Sequence, residues 1–218
     1  MSADVTKSCT PRTSYPPLTP LCKSFVAGIL CHARAIHAFA APTPSCYVHH
    51  HSTGGKDFGW EGHHNQRSCG SNFYWLGKGC PPTHINFIVD TEESHDSKGA
   101  MIRIKEGCLE IRSPTAASNP YLVLASIIAA GLDGVDNEMN LADHVVSTLP
   151  VNLTEALDAL EGNDLIVDSL GRDFVDLYIS VKRNEVDAIN RASGGNVSKV
   201  VSSELLEQAL QTMYLEMI

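Results

Sequence analysis

The sequence predicts an α+β fold, a small antiparallel sheet portion packed by helices, on three observations. Met101–Ile104 and Cys108–Arg112 are two short alternating runs separated only by Lys105, Glu106 and Gly107, the pattern of paired strands joined by a tight turn. Asn119 and Pro120 open a run that stays apolar to Leu132, and an Asn cap with Pro at the first helical position is a strong helix start. Helical spacing then recurs, with Phe174, Leu177, Tyr178 and Val181 forming one stripe.

The remaining elements follow from N- to C-terminus. Residues 1–20 carry Pro11, Pro16, Pro17 and Pro20 among Ser, Thr and Lys and read as a disordered tail. Phe25, Ile29, Ala33 and Ile36 recur near helical spacing, so one helix is expected over Leu21–Ala40, ended by Pro42 and Pro44. Residues 43–99 hold seven glycines between Gly54 and Gly79 and the Pro81-Pro82 pair without a sustained period; only Ile85–Val89 reads as a strand. The helix from Asn119 is apolar almost all round and is expected to lie in the core. Asn152 with Glu155 resembles a capping box ahead of Leu157 and Leu160. Asp164–Leu170 reads as a turn or two of helix, and an amphipathic helix runs on from Phe174 to about Ile189. Ser203–Met217 is a last helical segment able to dock on the body.

Composition bounds the function. Of 218 residues, 43% are hydrophobic and 19% charged, which fits one globular core with irregular appendages. The net charge is −9. From Asp133 onward lie 16 of the 25 acids but 5 of the 16 bases, which argues against a nucleic-acid or anionic-membrane surface there. The longest apolar run, Tyr121–Leu132, is too short to cross a bilayer, and the amino terminus lacks the apolar stretch of a signal peptide. A cytoplasmic chain is expected. Seven cysteines without a CxxC pair suggest reduced thiols.

The chemistry sits on the second strand. Alternation sets Leu109 and Ile111 on one side and Glu110 and Arg112 on the other. A carboxylate and a guanidinium, two charges of opposite sign, thus share one face of the strand. They also read as an ordinary salt-bridged face. Five histidines between His49 and His64, with Cys46, Cys69, Cys80 and His84 nearby, raise a zinc module, but no ligand spacing supports one. Gly54-Gly55-Lys56 has neither the preceding strand nor the following hydroxyl of a phosphate loop.

Leu109-Glu110-Ile111-Arg112-Ser113-Pro114, then Asn119-Pro120-Tyr121-Leu122, then Ala129-Ala130-Gly131-Leu132-Asp133-Gly134, closely resembles the catalytic domain of the glutamine synthetase family. Phe25–Leu30 with His32–Ala35 before the motif, and Leu153–Leu160 with Phe174–Glu185 after it, agree in order. The resemblance covers residues 21–47 and 100–190 and implies the carboxyl-terminal part of that domain. It implies three segments: a tail at 1–20, a partial catalytic domain at 21–190 with a divergent or inserted region at about 48–99, and a helical tail at 191–218.

What the resemblance implies is ATP-dependent ligation of ammonia to glutamate, with Mg²⁺ or Mn²⁺. Carried over position by position, Glu110 is a metal ligand, Arg103 and Arg112 bind nucleotide phosphate, and Arg112 is catalytic. A looser counterpart of the family's substrate loop is Gly59-Trp60 with Asn65–Ser68, which would make Arg67 the substrate arginine and Glu61 a weak stand-in for the flap glutamate. Further metal and nucleotide ligands of the family fall upstream of the matching region, so impaired catalysis is expected. The alternatives are a non-catalytic structural or interaction protein of the lengsin type, or a fragmentary gene product. Partners implied are glutamate, ammonia and ATP, with a homo-oligomer or co-assembly with full-length relatives, and neither nucleic acid nor membrane.

Overall fold

The computed structural model describes residues 19–47, 84–85, 87–89, 101–105, 108–141 and 147–192. The chain enters its first helix through Thr19, whose hydroxyl accepts from the Cys22 amide at 3.2 Å, with Pro20 at the first helical position. Thr19 and Pro20 thus belong to the body rather than to the amino-terminal tail. The single helix expected over Leu21–Ala40 is two: α1 (Pro20–Cys31) and α2 (Ala33–Ala40), parted at His32 with φ −98° and ψ 7°. The break lets the two halves serve different partners. α1 packs along α3 (Pro120–Asp136), while α2 packs against α4 (Leu153–Glu161).

The α1–α3 crossing is closed by glycines. A Cβ on Gly28 would meet Gly134 N at 2.7 Å and its Cα at 2.8 Å, and one on Gly134 would meet Gly28 N at 2.6 Å. The backbones therefore lie in direct contact, as only residues without side chains allow. α3 starts as its sequence dictates, with Asn119 Oδ1 accepting from Tyr121 N–H at 2.9 Å. Its burial differs from expectation. The inward positions are the small Ser126, Ala130, Gly131 and Gly134 together with Val123. Tyr121 (82% exposed), Leu124, Ile128 and Leu132 form an outward stripe. An all-apolar run reads as fully buried, but close backbone approach puts the small residues inside and turns the large ones out.

Asn152 Oδ1 accepts from Glu155 N–H at 2.8 Å, and Glu155 reaches back to Val151 N–H at 3.3 Å, a variant of the expected capping box. α5 spans Asp164–Leu170. Gly171, at φ +92°, turns the chain into α6, Arg172–Ala192. Val175, Ile179 and Ile189 are the buried positions of α6. Tyr178, half-buried, stacks on Phe39 at 4.9 Å and donates from its hydroxyl to the Ala38 carbonyl at 2.8 Å.

The strands are β1 (His84–Ile85), β2 (Phe87–Val89), β3 (Ile102–Lys105), β4 (Cys108–Ile111) and β5 (Ser147–Thr148). β3 and β4 pair antiparallel, with Ile102 opposite Ile111 and Arg103 opposite Glu110. β2 joins β3 in parallel, and β1 pairs with β5. The expected antiparallel pair thus forms two strands of a mixed three-stranded sheet, and helices dominate the described residues. α3 packs chiefly on α1, α5 and α2 rather than behind the sheet. The sheet instead joins the body through Met101, Ile102 and Ile104, all buried in the same apolar cluster as Ile36, Phe39 and Leu157. Burying each such side chain contributes about 1.5–3 kcal/mol. Of the expected tail at 1–20, divergent region at about 48–99 and helical tail at 191–218, residues 1–18, 48–83, 86, 90–100 and 193–218 lie outside the described residues.

Candidate active site

β4 is oriented by its apolar side. Leu109 and Ile111 sit opposite the buried Ile104 and Ile102, and the pleat sends the intervening residues to the other face. Glu110 Oε1 lies 3.7 Å from Arg112 Nε, so the acid and the guanidinium share one side as the alternation predicts. The Arg112 side chain is 2% exposed and that of Glu110 is 29% exposed. A guanidinium is always charged, and a buried charge is tolerated when a counter-charge stands beside it. Arg103 occupies the register position directly across from Glu110, so the three predicted residues fall at neighbouring positions of one strand pair. Glu61 and Arg67 lie outside the described residues.

The strand end is fixed from behind. Arg112 N–H donates to the Met101 carbonyl at 2.8 Å, and Thr115 N–H donates to Ala40 at 2.9 Å, tying the β4–α3 connection to the end of α2. Beneath it runs a buried polar belt that the sequence reading missed. The Thr43 hydroxyl is hydrogen-bonded to Ser45 at 2.9 Å and contacts Cys46 Sγ at 3.0 Å, and Cys46 Sγ lies 3.4 Å from the Thr115 hydroxyl. The density of hydroxyl residues in Thr43–Ser45 and Ser113–Thr115 was the available signal. Tyr47 meets the His37 ring edge-on at 5.5 Å, and burial pushes its hydroxyl well above the usual tyrosine range.

The donor set does not by itself fit a divalent cation. Mg²⁺ takes about six oxygen ligands. Among the described residues no group of three or more His, Cys, Asp or Glu could hold a metal ion, and the charged side chain beside Glu110 is a cation. Arginines are suited to phosphate, so Arg112 fits an anion, and Glu110 is a single carboxylate donor beside it.

The fold is that of glutamine synthetase-like proteins. A GmaS–ADP complex superposes with a TM-score of 0.59 at 24% identity, over 80% of this chain and 38% of that one. A novel glutamine synthase homologue gives 0.58 at 21%, over 87% and 39%. In sequence, residues 91–196 match the family described as glutamine synthetase, catalytic domain. The glutamine synthetase of Methanocaldococcus jannaschii is 28% identical over 203 residues, 84% of this chain and 38% of its own. Human lengsin is 30% identical over 183 residues, 78% and 31%. The glutamate–methylamine ligase of Methyloversatilis universalis is 31% identical over 184 residues, 77% and 36%. The chain belongs to the glutamine synthetase family. It spans about a third of the length of these curated relatives.

Proposed function

We propose that this chain carries the phosphate-facing strand of an ATP-dependent ligase that joins ammonia to glutamate, and that the 218-residue polypeptide by itself turns over weakly or not at all. The observation that supports it is the Glu110–Arg112 pair on one face of β4, with Arg103 across from Glu110 in the register. Phosphoryl transfer to a carboxylate spreads negative charge over oxygens that guanidinium groups stabilise. In this reading Arg112 is catalytic, Arg103 and Arg112 hold nucleotide phosphate, and Glu110 offers one oxygen to Mg²⁺ or Mn²⁺. Such an ion needs several further oxygen ligands.

The proposed setting is the cytoplasm; among the described residues no helix is long and apolar enough to cross a membrane. A second reading, a non-catalytic structural protein of the lengsin type or a fragmentary gene product, is favoured by the likeness to human lengsin. One assay separates the two. The purified chain is given ATP, Mg²⁺ and glutamate with hydroxylamine, with and without a full-length relative, and γ-glutamyl hydroxamate is measured. Nucleotide binding with little product supports the ligase reading. Neither binding nor product, with co-assembly retained, supports the structural one. Robust product from the chain alone overturns the claim of weak turnover.

A further inference from the structure

His32 sits where α1 gives way to α2, and its ring is held from two sides. Nε2 is 3.0 Å from Asp133 Oδ2 on α3, and Nδ1 is 2.9 Å from Asn163 Nδ2. Asn163 is also the cap of α5, its Oδ1 accepting from Ile166 N–H at 3.1 Å. That bond fixes the amide orientation. A backbone N–H can only donate, so the atom facing it is the oxygen and the atom facing His32 is the NH₂. The NH₂ can only donate in turn, so Nδ1 bears no hydrogen and the imidazole is the neutral form with its proton on Nε2, donating to Asp133. Asp133 is steadied by Asn137 Nδ2, which donates to Oδ1 at 2.8 Å. His32 and Asp133 are 13% and 19% exposed.

We propose that His32 and Asn163 form a proton-sensitive clasp in which a second proton on the ring removes the cap of α5. Protonation sets an N–H on Nδ1 against the Asn163 NH₂, and two donors cannot bond. Asn163 can respond by turning its amide, which gives its oxygen to His32 and leaves Ile166 N–H facing another donor. The bond to Asp133 meanwhile becomes charge-assisted and shortens, so the hold on α3 persists while the hold on α5 is lost.

The charged or titratable groups near the ring include three among the described residues. Asp133 faces it from α3. Cys31, beside it in the chain, has its thiol pushed up by burial and then by Asp133. Asp164 on α5 is exposed and turned toward Arg172 at 3.5 Å. Histidine is the side chain that takes its second proton within the pH range of living cells.

Nuclear magnetic resonance on the full chain tests this directly. The His32 ring nitrogens report tautomer and titration, and hydrogen exchange of the Ile166 amide, corrected for its intrinsic pH dependence, reports the cap. The neutral ring is expected as the Nε2–H tautomer, with Ile166 protection falling about fivefold through the ring's own titration, the factor one capping bond confers. In Asn163→Asp, two carboxylate oxygens accept from both donors, so Ile166 protection stays flat across the same pH range. An Nδ1–H neutral tautomer, or unchanged Ile166 protection while His32 titrates, overturns the proposal. The wild-type measurement decides this even where the variant fails to fold.

Discussion

Gly28→Ala is the sharpest test of the helix packing. The added methyl would collide first with the Ala130 carbonyl oxygen and lie 2.7 and 2.8 Å from Gly134 N and Cα. Ordinary contact between such atoms is about 3.5–4.0 Å, so α1 and α3 must part by close to an ångström. The obstacle is helix backbone on α3, which cannot rotate aside as a side chain would. Overpacking costs about 1–3 kcal/mol, and a rigid obstacle places this site at the upper end. Alanine returns up to about 1 kcal/mol through its better helix propensity. The net expectation is a loss of about 2 kcal/mol, which for a chain of this length lowers the melting temperature by about 4–8 °C. Thermal and urea unfolding followed by circular dichroism at 222 nm would measure it. A variant as stable as the parent, or more stable, would refute a backbone-to-backbone crossing.

Three further expectations concern single groups. Asn152→Ala removes the side-chain acceptor at the start of α4 and should cost about 1 kcal/mol, read as a shift of the urea midpoint at unchanged slope. Glu110→Ala takes the acid from beside the buried Arg112; breaking a fully buried pair costs about 3–5 kcal/mol, and the partial exposure of Glu110 reduces that to about 1–2 kcal/mol, measured the same way. Burial, then Glu185 and Cys46, push the Tyr178 hydroxyl far above the usual tyrosine range, and burial does the same at Tyr47. In the unfolded chain both ionise near about pH 10. Their contribution is therefore fully present below that pH and fades as pH rises beyond it. Spectrophotometric titration at 295 nm should show two tyrosines that ionise only as the fold is lost.

Much of the candidate site was legible because strand alternation is a short-range rule. Leu109 and Ile111 fix which side of β4 is apolar, and Glu110 and Arg112 follow without knowledge of the rest of the chain. Caps were equally readable, since Asn119 and Asn152 act within three residues of themselves. What failed depends on contacts distant in sequence. The outward stripe of α3 follows from Gly28, about a hundred positions earlier, and the break at His32 from the different partners of α1 and α2. The parallel pairing of β2 onto β3 joins strands by their edges, which no local period records. The Thr43–Thr115 belt escaped notice because isolated hydroxyl residues carry no periodic signature.

The docking of α1 and α2 onto α3 and α4 has a bearing on evolution and on folding speed. Every one of those contacts bridges the stretch from Tyr47 to Met101. Loop-closure entropy rises only as the logarithm of the number of residues enclosed, by about 0.6 kcal/mol for each doubling. Residues can accumulate in that stretch with little effect on how firmly the helices hold. The cost falls on the search instead: distant partners meet slowly, so a connection shortened without touching β1 or β2 should quicken refolding more than it changes equilibrium stability.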